Sequence, residues 1–248
     1  MTAPADLKWA PPPRYLLRAA LVRRLVARLA PRRVLEVGSA TGDMIERILA
    51  PGMAVTAAEI SEEAYAILCR RFRDRPEVTV HFGDFATLAG PFDLIMSFAV
   101  LEHMPDDRGA MARWFEMLDP GGHVLLSVPA RRDLWSVADE MAGHLRRYER
   151  EQLAALARDR GFEIVHLWNY GFPLCRLTAP FNRWLTVRTM TGKGATAEEL
   201  TRRSGVERPV AHRLRFLLNE WTLAPFTLLQ RLFLGRDWGN GYLLLGRK

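Results

Sequence analysis

Five short runs of β-forming residues alternate with three helical stretches along the first half of the chain, and this alternation restricts the fold more than any other feature. The runs are Val34–Val37, Ala54–Ala58, Val78–Phe82, Phe92–Phe98 and His123–Val128, and the helical stretches are 43–50, 61–74 and 107–118. Parallel strands need a crossover connection, which is usually a helix. The pattern therefore predicts an α/β fold in which a doubly wound, mostly parallel sheet carries helices on both faces.

Segments outside this alternation are predicted to extend the core. We expect a basic amphipathic helix over 14–30, a helix over 149–160, and strands at Phe162–Trp168 and Gly241–Gly246. The 70 residues of 170–239 are too many for a structureless loop and must carry helices. Within the apolar stretch Leu214–Leu234, Pro225 predicts two packed helices that meet near the proline.

These elements predict a division of the chain into a core and two appended segments. The core comprises 33–169 and 240–248, preceded by an N-terminal basic helix or lid in 1–32. The helical insertion 170–239 is expected to act as a substrate lid or as an element on a membrane surface. Its aromatic residues either line an apolar acceptor pocket or form an auxiliary core; they are Phe172, Phe181, Trp184, Phe216 and Trp221.

The turn after the first strand favours a ligand without phosphate groups. It reads Gly38-Ser39-Ala40-Thr41-Gly42-Asp43. A dinucleotide-binding turn needs glycine at the first, third and sixth places, and here the third is Ala40 and the sixth is Asp43. An acid at the start of a helix would repel a pyrophosphate, and the Gly-Lys-Ser/Thr sequence of a P-loop does not follow.

Acidic residues follow the second and third strands. Glu59 lies 21 residues after Gly38, where a carboxylate can accept hydrogen bonds from ribose hydroxyls; its alternative role is an acid at a helix start. In Gly83-Asp84-Phe85, the carboxylate can accept from the exocyclic amine of adenine and the ring can stack on it, although alone this sequence is only a turn. Together, these successive strand ends predict a site for an adenosine-containing ligand without phosphate.

With these residues the chain resembles the class I S-adenosylmethionine-dependent methyltransferases, particularly the broad group similar to ubiquinone and menaquinone biosynthesis methyltransferases. The segment Glu36-Val37-Gly38-Ser39-Ala40-Thr41-Gly42 is similar to the first motif of the family, with Ala40 where glycine is commoner. Phe92–Met104 resembles the motif of the fourth strand, and Leu118–Pro129 that of the fifth. The resemblance covers residues 33–170 and returns at the last strand.

The resemblance implies a seven-stranded sheet with an antiparallel last strand, and S-adenosylmethionine as the cofactor. Gly38 and Gly42 would line its methionine part, Glu36 would help hold its amino group, and Glu59 would hold the ribose. Asp84 and Phe85 would hold the adenine. The full set expected around the cofactor is Glu36, Gly38, Ser39, Ala40, Gly42, Glu59, Ile60, Asp84, Phe85, Phe98 and Ala99.

The expected reaction is methyl transfer to a small-molecule acceptor at a hydroxyl oxygen, with a natural-product, quinone-like or lipid-linked acceptor. Such a reaction benefits from a general base. The catalytic candidates are His103 after the fourth strand, and His144 and Tyr148 in the segment after the fifth. The alternative is structural: His103 orients its loop, Arg146 or Arg147 pairs with an upstream acid, and Tyr148 leads into the next helix. No spacing typical of a metal site occurs, so no metal is expected.

Charge is unevenly distributed, and this leaves other functions open. The net charge is +7, with +7 in 1–33, −6 in 34–201 and +6 in 202–248. The basic ends are compatible with an RNA methyltransferase, with peripheral contact to an anionic membrane, or with a non-catalytic scaffold that binds the cofactor. The two cysteines and the lack of a signal peptide or an apolar run of 18 residues favour a cytoplasmic protein. The oligomeric state is not predicted.

Overall fold

The computed structural model describes residues 11–179 and 219–248. The strands are β1 (Arg33–Val37), β2 (Ala54–Glu59), β3 (Val78–Phe82), β4 (Phe92–Phe98), β5 (Leu118–Pro129), β6 (Glu163–Tyr170) and β7 (Gly241–Arg247). The helices are α1 (Pro13–Leu29), α2 (Asp43–Ile48), α3 (Glu62–Arg71), α4 (Asp107–Met117), α5 (Val137–Ala142), α6 (Arg150–Arg158) and α7 (Glu220–Leu229).

All seven strands form one sheet in the order β3-β2-β1-β4-β5-β7-β6. β7 runs antiparallel to β5 and β6, and the other pairings are parallel. The prediction of a doubly wound, mostly parallel α/β sheet with an antiparallel last strand is therefore confirmed. Because β1 to β6 all point the same way, their carboxyl ends share one edge of the sheet, which we call the carboxyl edge.

Helices cover both faces of the sheet. On one face Val34, Leu94 and Leu125 pack with residues of α1 and α2, among them Val22 and Ile45. On the other face Leu35, Ile95 and Leu126 pack with α4 and α6, where Trp114 and Leu153 are fully buried. Alternate residues of each strand thus enter opposite cores, which explains why most positions of the central strands are apolar.

The appended segments also contribute to the core in the described part of the chain. α1 buries Leu17, Leu21 and Leu25, and the last two belong to the core on the α1 face of the sheet. α7 begins at the N-cap Asn219, whose side chain accepts hydrogen bonds from two backbone amides. This helix continues through Pro225, so the expected meeting of two helices at this proline is wrong for the described residues. Pro225 is exposed, and water can solvate the carbonyl that the proline leaves without an amide partner.

Two of the five insertion aromatics lie within the described residues. The Phe172 ring contacts the rings of Phe233 and Trp238 at 4.9 and 5.3 Å between centroids, whereas Trp221 is 89% exposed. Phe181, Trp184 and Phe216 lie outside the described residues, as does most of the insertion. Within 11–179 and 219–248, the helices are too short or too polar to cross a membrane.

Candidate functional site

The first turn, between β1 and α2, is shaped by left-handed backbone. Gly38, Ala40 and Gly42 have φ angles of 73°, 46° and 74°. A Cβ atom on Gly38 would overlap the Val100 side chain, so this position needs glycine for conformation and for space. The turn therefore brings bare backbone close to the carboxyl edge, as a ligand that contacts main-chain atoms requires.

Glu59, at the end of β2, joins the first and second turns. One carboxylate oxygen accepts a hydrogen bond from the Ala40 amide at 2.8 Å, and the other accepts from the Ile60 and Ser61 amides at 2.9 Å. The residue is buried. A carboxylate offers about four lone-pair sites, so its orientation is fixed while capacity remains for a ribose hydroxyl.

A cavity of about 480 Å³ opens beside these turns. Four of the expected cofactor residues line it: Gly38, Ile60, Asp84 and Phe85. The Asp84 carboxylate caps a short 3-10 turn by accepting from the Ala86 amide at 2.9 Å, and the Phe85 ring packs near Trp114. The cavity is mainly apolar, as a flat aromatic base requires.

Glu36 and Arg18 form a second polar group on the α1 side of the first turn. Burial raises the pKa of Glu36 to about 8, against the opposing effects of Arg18 and Ser39, and its Oε2 atom has no partner among the described residues. Arg18 is buried, donates to Ser127 Oγ at 3.0 Å, and leaves Nε unpaired in the described part of the chain. Buried polar atoms are rarely unpaired, so the carboxyl of Glu36 and the guanidinium of Arg18 together suit a ligand that carries both a positive and a negative charge. The ammonium and carboxylate of a methionine moiety meet that requirement.

Arg18 was missed by the sequence reasoning, although a signal exists. It lies at i−4, i−7 and i−11 from Val22, Leu25 and Leu29, which places an arginine inside the apolar face of α1. Its guanidinium lies over the Phe98 ring at 5.0 Å, and this places Phe98 in the same group. Ser39 donates to the Glu36 carbonyl and Ala99 donates to the Ser127 carbonyl, so both support backbone here.

A partly buried cluster of two histidines and a buried glutamate lies near this cavity in the chain. The cluster consists of Glu102, His103 and His144. Val100 and Met104, which lie on either side of Glu102 and His103 in the sequence, line the cavity. The His103 and His144 rings meet edge to face at 4.9 Å, and His144 Nε2 lies 3.8 Å from Glu102 Oε1. Their ligand atoms lie within 4.8 Å of one another, a spacing that a divalent cation also accepts.

Asp139 orients His144. Its Oδ1 lies 2.8 Å from His144 Nδ1, and Arg147 binds both carboxylate oxygens at 2.8 and 2.9 Å. Although burial opposes it, His144 and Arg147 hold the pKa of Asp139 well below its usual range. An ionised carboxylate only accepts hydrogen bonds, so we assign the His144 proton to Nδ1, which leaves Nε2 as an acceptor.

Burial disfavours the charged forms of the other two members of the cluster, Glu102 and His103. It raises the pKa of Glu102, whose two oxygens have no hydrogen-bond partner among the described residues, despite the nearby His144. Burial, with His144, lowers the pKa of His103 to about 4, while Nδ1 lies 3.1 Å from the Gly143 carbonyl oxygen. The lowered pKa keeps His103 uncharged near neutral pH.

Tyr148 lies apart from the histidines in its contacts. It is fully buried, and its hydroxyl donates to Asp107 Oδ2 at 2.9 Å. Burial and Asp107 raise its pKa above the usual range. This placement favours the structural alternative for Tyr148, as does the pairing of Arg147 with Asp139.

Comparisons with known proteins agree on one family. A family model described as a methyltransferase domain matches residues 14–167. The ubiquinone biosynthesis O-methyltransferase of Aromatoleum aromaticum is 34% identical over 106 residues, which cover 41% of this chain and 45% of that protein. The trans-aconitate 2-methyltransferase of Deinococcus radiodurans is 30% identical over 119 residues, which cover 47% and 46%. This chain thus spans about half the length of these curated relatives.

A solved structure supports the fold. The N-methyltransferase NodS of Bradyrhizobium japonicum, in complex with S-adenosyl-L-homocysteine, superimposes with a TM-score of 0.52 at 18% identity. The match covers 92% of this chain and 86% of that one.

Proposed function

The chain belongs to the methyltransferase-domain family, and we propose that this S-adenosylmethionine-dependent enzyme transfers the methyl group to a hydroxyl oxygen of a small-molecule acceptor. The observation that carries the choice of oxygen is the orientation of His144 by Asp139, which holds its Nδ1 and leaves Nε2 toward Glu102 in the histidine cluster. A hydroxyl must lose its proton as the new bond forms, and a positioned imidazole can take it. The similarity to an O-methyltransferase of ubiquinone biosynthesis supports the same choice.

The cofactor supplies a methyl group on a positively charged sulfur. We propose that Glu59 binds the ribose, that Asp84 and Phe85 bind the adenine, and that Glu36 and Arg18 bind the amino and carboxylate groups. Ser39, Ala40, Ile60 and Ala99 contribute backbone and walls. Gly38 and Gly42 keep the first turn open. These contacts would fix the direction of the methyl group, because an in-line displacement gains most from alignment.

His144 is the proposed base, and Asp139 is its positioning residue. The hydroxyl proton goes to His144 Nε2 while the acceptor oxygen attacks the methyl carbon and the bond from carbon to sulfur breaks. His144 then carries a positive charge, which the ionised Asp139 stabilises at Nδ1. His103 stays neutral and helps to exclude water, and the Glu102 carboxyl lies beside the His144 imidazole. In this proposal Tyr148 has a structural role, because its hydroxyl binds Asp107 at the start of α4.

The test uses enzyme, isotope-labelled S-adenosylmethionine and a panel of hydroxylated small molecules, with products analysed by mass spectrometry. We expect label on an oxygen, and a fall of about 100-fold in kcat for both His144→Asn and Asp139→Asn, in line with the usual contribution of a general base. Their binding of S-adenosylhomocysteine should change less than threefold. His123→Asn is the matched control, since His123 lies in β5 away from the cluster, and it should retain full rate.

Other results would contradict this proposal. Label on nitrogen or carbon excludes oxygen as the acceptor atom, and intact cofactor binding without any turnover favours the scaffold alternative. Activity that is lost on exhaustive chelation and restored by a divalent cation would assign the histidine cluster to a metal instead of a proton. Retained activity after chelation agrees with the base.

The exposed face of α7 supports a second proposal, that the enzyme works at an anionic membrane surface. Trp221, Leu228 and Leu232 share one side of the helix and its 3-10 extension, and they are 89%, 62% and 77% exposed. Arg231 and Arg236 are also exposed nearby. Flotation with phosphatidylglycerol vesicles should recover the protein, and the variant Trp221→Ser with Leu228→Ser should remain unbound. Equal flotation of both proteins would contradict this proposal.

The RNA alternative has weaker support. Arg23, Arg24, Arg32 and Arg47 line a basic groove, and residues that precede β1 and β2 form other parts of its wall. The groove therefore lies at the edge of the sheet opposite the cofactor turn. Binding of RNA that falls steeply with salt, together with labelled RNA product, would overturn the small-molecule assignment.

A further inference from the structure

α1 directs a second arginine toward the carboxyl edge. Arg14 precedes Arg18 by four residues, so the two side chains lie on one side of the helix. The Arg14 guanidinium lies over the ring of Tyr170 at 6.0 Å. Tyr170 is the last residue of β6, which runs parallel to β5, so it reaches the same edge as the cofactor turn.

Neither arginine forms an ion pair with a carboxylate of the described residues. Arg18 donates only to the neutral hydroxyl of Ser127 and keeps an unpaired Nε in the part of the chain described here. The acids in electrostatic reach are Glu36 and Glu102, and burial raises the pKa of both. Two guanidinium groups without an ion-pair partner among the described residues leave an excess of positive charge at this place, which a bound anion would compensate.

Tyr170 adds a hydrogen-bond donor at this place. It is fully buried, and its hydroxyl has no hydrogen bond of normal geometry among residues 11–179 and 219–248. Although burial opposes it, Arg14 and Arg18 lower the pKa of Tyr170. An O–H group polarised by two cations is a strong donor to a negatively charged oxygen.

The cofactor accounts for only one of the two arginines. It carries a single carboxylate, and Arg18, beside Glu36, is placed to bind it together with the neighbouring amino group. We propose that Arg14 and the Tyr170 hydroxyl bind a carboxylate of the acceptor, so that the substrates of this enzyme are hydroxy acids. This inference rests on the proposed function, because it assigns the hydroxyl of the same acceptor to His144.

The position of Glu102 links the two ends of such an acceptor. It lies within electrostatic reach of both Arg14 and His144. The acceptor carboxylate then lies toward α1 and β6, while its hydroxyl lies toward the histidine cluster. An acceptor with an amide in place of the acid leaves Arg14 without a counter-charge, and this is a cost that a neutral hydrogen bond does not offset.

The test measures binding without turnover, in enzyme saturated with S-adenosylhomocysteine. The probes are two matched pairs: 3-hydroxybenzoate with 3-hydroxybenzamide, and 3-hydroxypropanoate with 3-hydroxypropanamide, followed by calorimetry and ligand-observed NMR. We expect the acid of at least one pair to bind tenfold or more tightly than its amide. If neither acid is preferred, the proposal is wrong.

Four variants separate the acceptor carboxylate from the cofactor carboxylate. Arg14→Gln should abolish the preference for the acid with less than a threefold change in S-adenosylhomocysteine affinity, Arg14→Lys should retain part of it, and Tyr170→Phe should weaken the acid about fivefold. Arg18→Gln should instead weaken S-adenosylhomocysteine by tenfold or more. Arg24→Gln, an exposed arginine of the same helix, is the control and should change neither.

Each remaining outcome decides the matter. If Arg14→Gln weakens S-adenosylhomocysteine as strongly as Arg18→Gln does, both arginines serve the cofactor and the proposal fails. If the acid preference survives in Arg14→Gln, the acid binds elsewhere and the proposal also fails. Preferred binding of acids without methylation at oxygen would support this subsite while overturning the proposed oxygen transfer, so the two failures are distinguishable.

Discussion

The two halves of the carboxyl edge are built on different principles. At the ends of β1, β2 and β3, the cofactor half, backbone amides already pair with carboxylates such as Glu59. At the ends of β4, β5 and β6, the acceptor half, buried polar atoms of Ser97, Glu102 and Tyr170 lack partners among the described residues. Glu36 is the exception in the first half, and in our proposal it binds the charged amine of the cofactor. The cofactor half is therefore preorganised, while the acceptor half is completed by what binds there.

The largest effect should come from Glu59→Ala, which removes the acceptor of three backbone amides. We expect a loss of about 3 kcal/mol in the free energy of unfolding of the ligand-free protein, since hydrogen bonds to a charged group stabilise most. Urea unfolding measures it, and Glu62→Ala, an exposed acid of α3, is the control. A loss below about 1 kcal/mol would contradict the view that this half is complete without ligand.

Gly38→Ala tests the space in the first turn. The added methyl group would overlap Val100, and φ at this position is 73°. We expect the affinity for S-adenosylhomocysteine to fall about thirtyfold, and Val100→Ala to restore part of it in the double variant. Gly52 has a similar φ of 79° with open space around it, so Gly52→Ala shows the cost of conformation alone. Equal effects at both glycines would exclude the overlap as the cause.

Glu36 predicts a pH dependence of cofactor binding. Because its pKa is about 8, it must lose a proton to pair with a ligand amine, and affinity for S-adenosylhomocysteine should rise about tenfold from pH 6 to pH 7. Stability has the opposite sign: between about pH 5 and 8 the folded protein binds a proton that the unfolded chain has released, so unfolding becomes easier as pH rises. Both slopes should disappear in Glu36→Gln. A flat affinity profile in the parent protein would contradict the assignment.

The smallest effect concerns Glu102 in the acceptor half. Glu102→Met removes a buried carboxyl without hydrogen-bond partners, and we expect the ligand-free protein to become about 1 kcal/mol more stable while it loses activity. Thermal unfolding and a turnover assay measure the two changes, with Glu63→Met on the exposed side of α3 as the control. If Glu102→Met makes the protein less stable, the view that the acceptor half contains buried polar groups without partners is wrong.

The strands and the cofactor turn could be predicted because their signals are local. β1 and β4 are short apolar runs bounded by turn residues, and the turns at Gly38 and Gly83 follow strands directly. Glu59 and Asp84 were recognised by their positions at strand ends, and Glu59 indeed contacts the Ala40 backbone.

The acceptor half was harder to predict because its residues meet only in three dimensions. Asp139 and Arg147 flank His144 in sequence, but their bidentate pairing depends on how α5 and the following loop turn back. Arg14 and Tyr170 lie 156 positions apart and are joined by the sheet order. The prediction for Pro225 was wrong because a proline inside a helix raises the free energy of the helix without forbidding it. On the exposed face of α7, water solvates the carbonyl that lacks an amide partner and lowers this cost.

The position of β7 in the sheet also determines the order in which parts of the protein can fold. β7 lies between β5 and β6, and its Gly241 pairs with Tyr170 across 70 intervening residues. Until these late residues arrive, β6 has no neighbouring strand, so the sheet must close by a long-range step that is slow in folding. The turns after β1, β2 and β3 can form from the first hundred residues, whereas the proposed acceptor surface at Tyr170 is complete only after the last residues have been added.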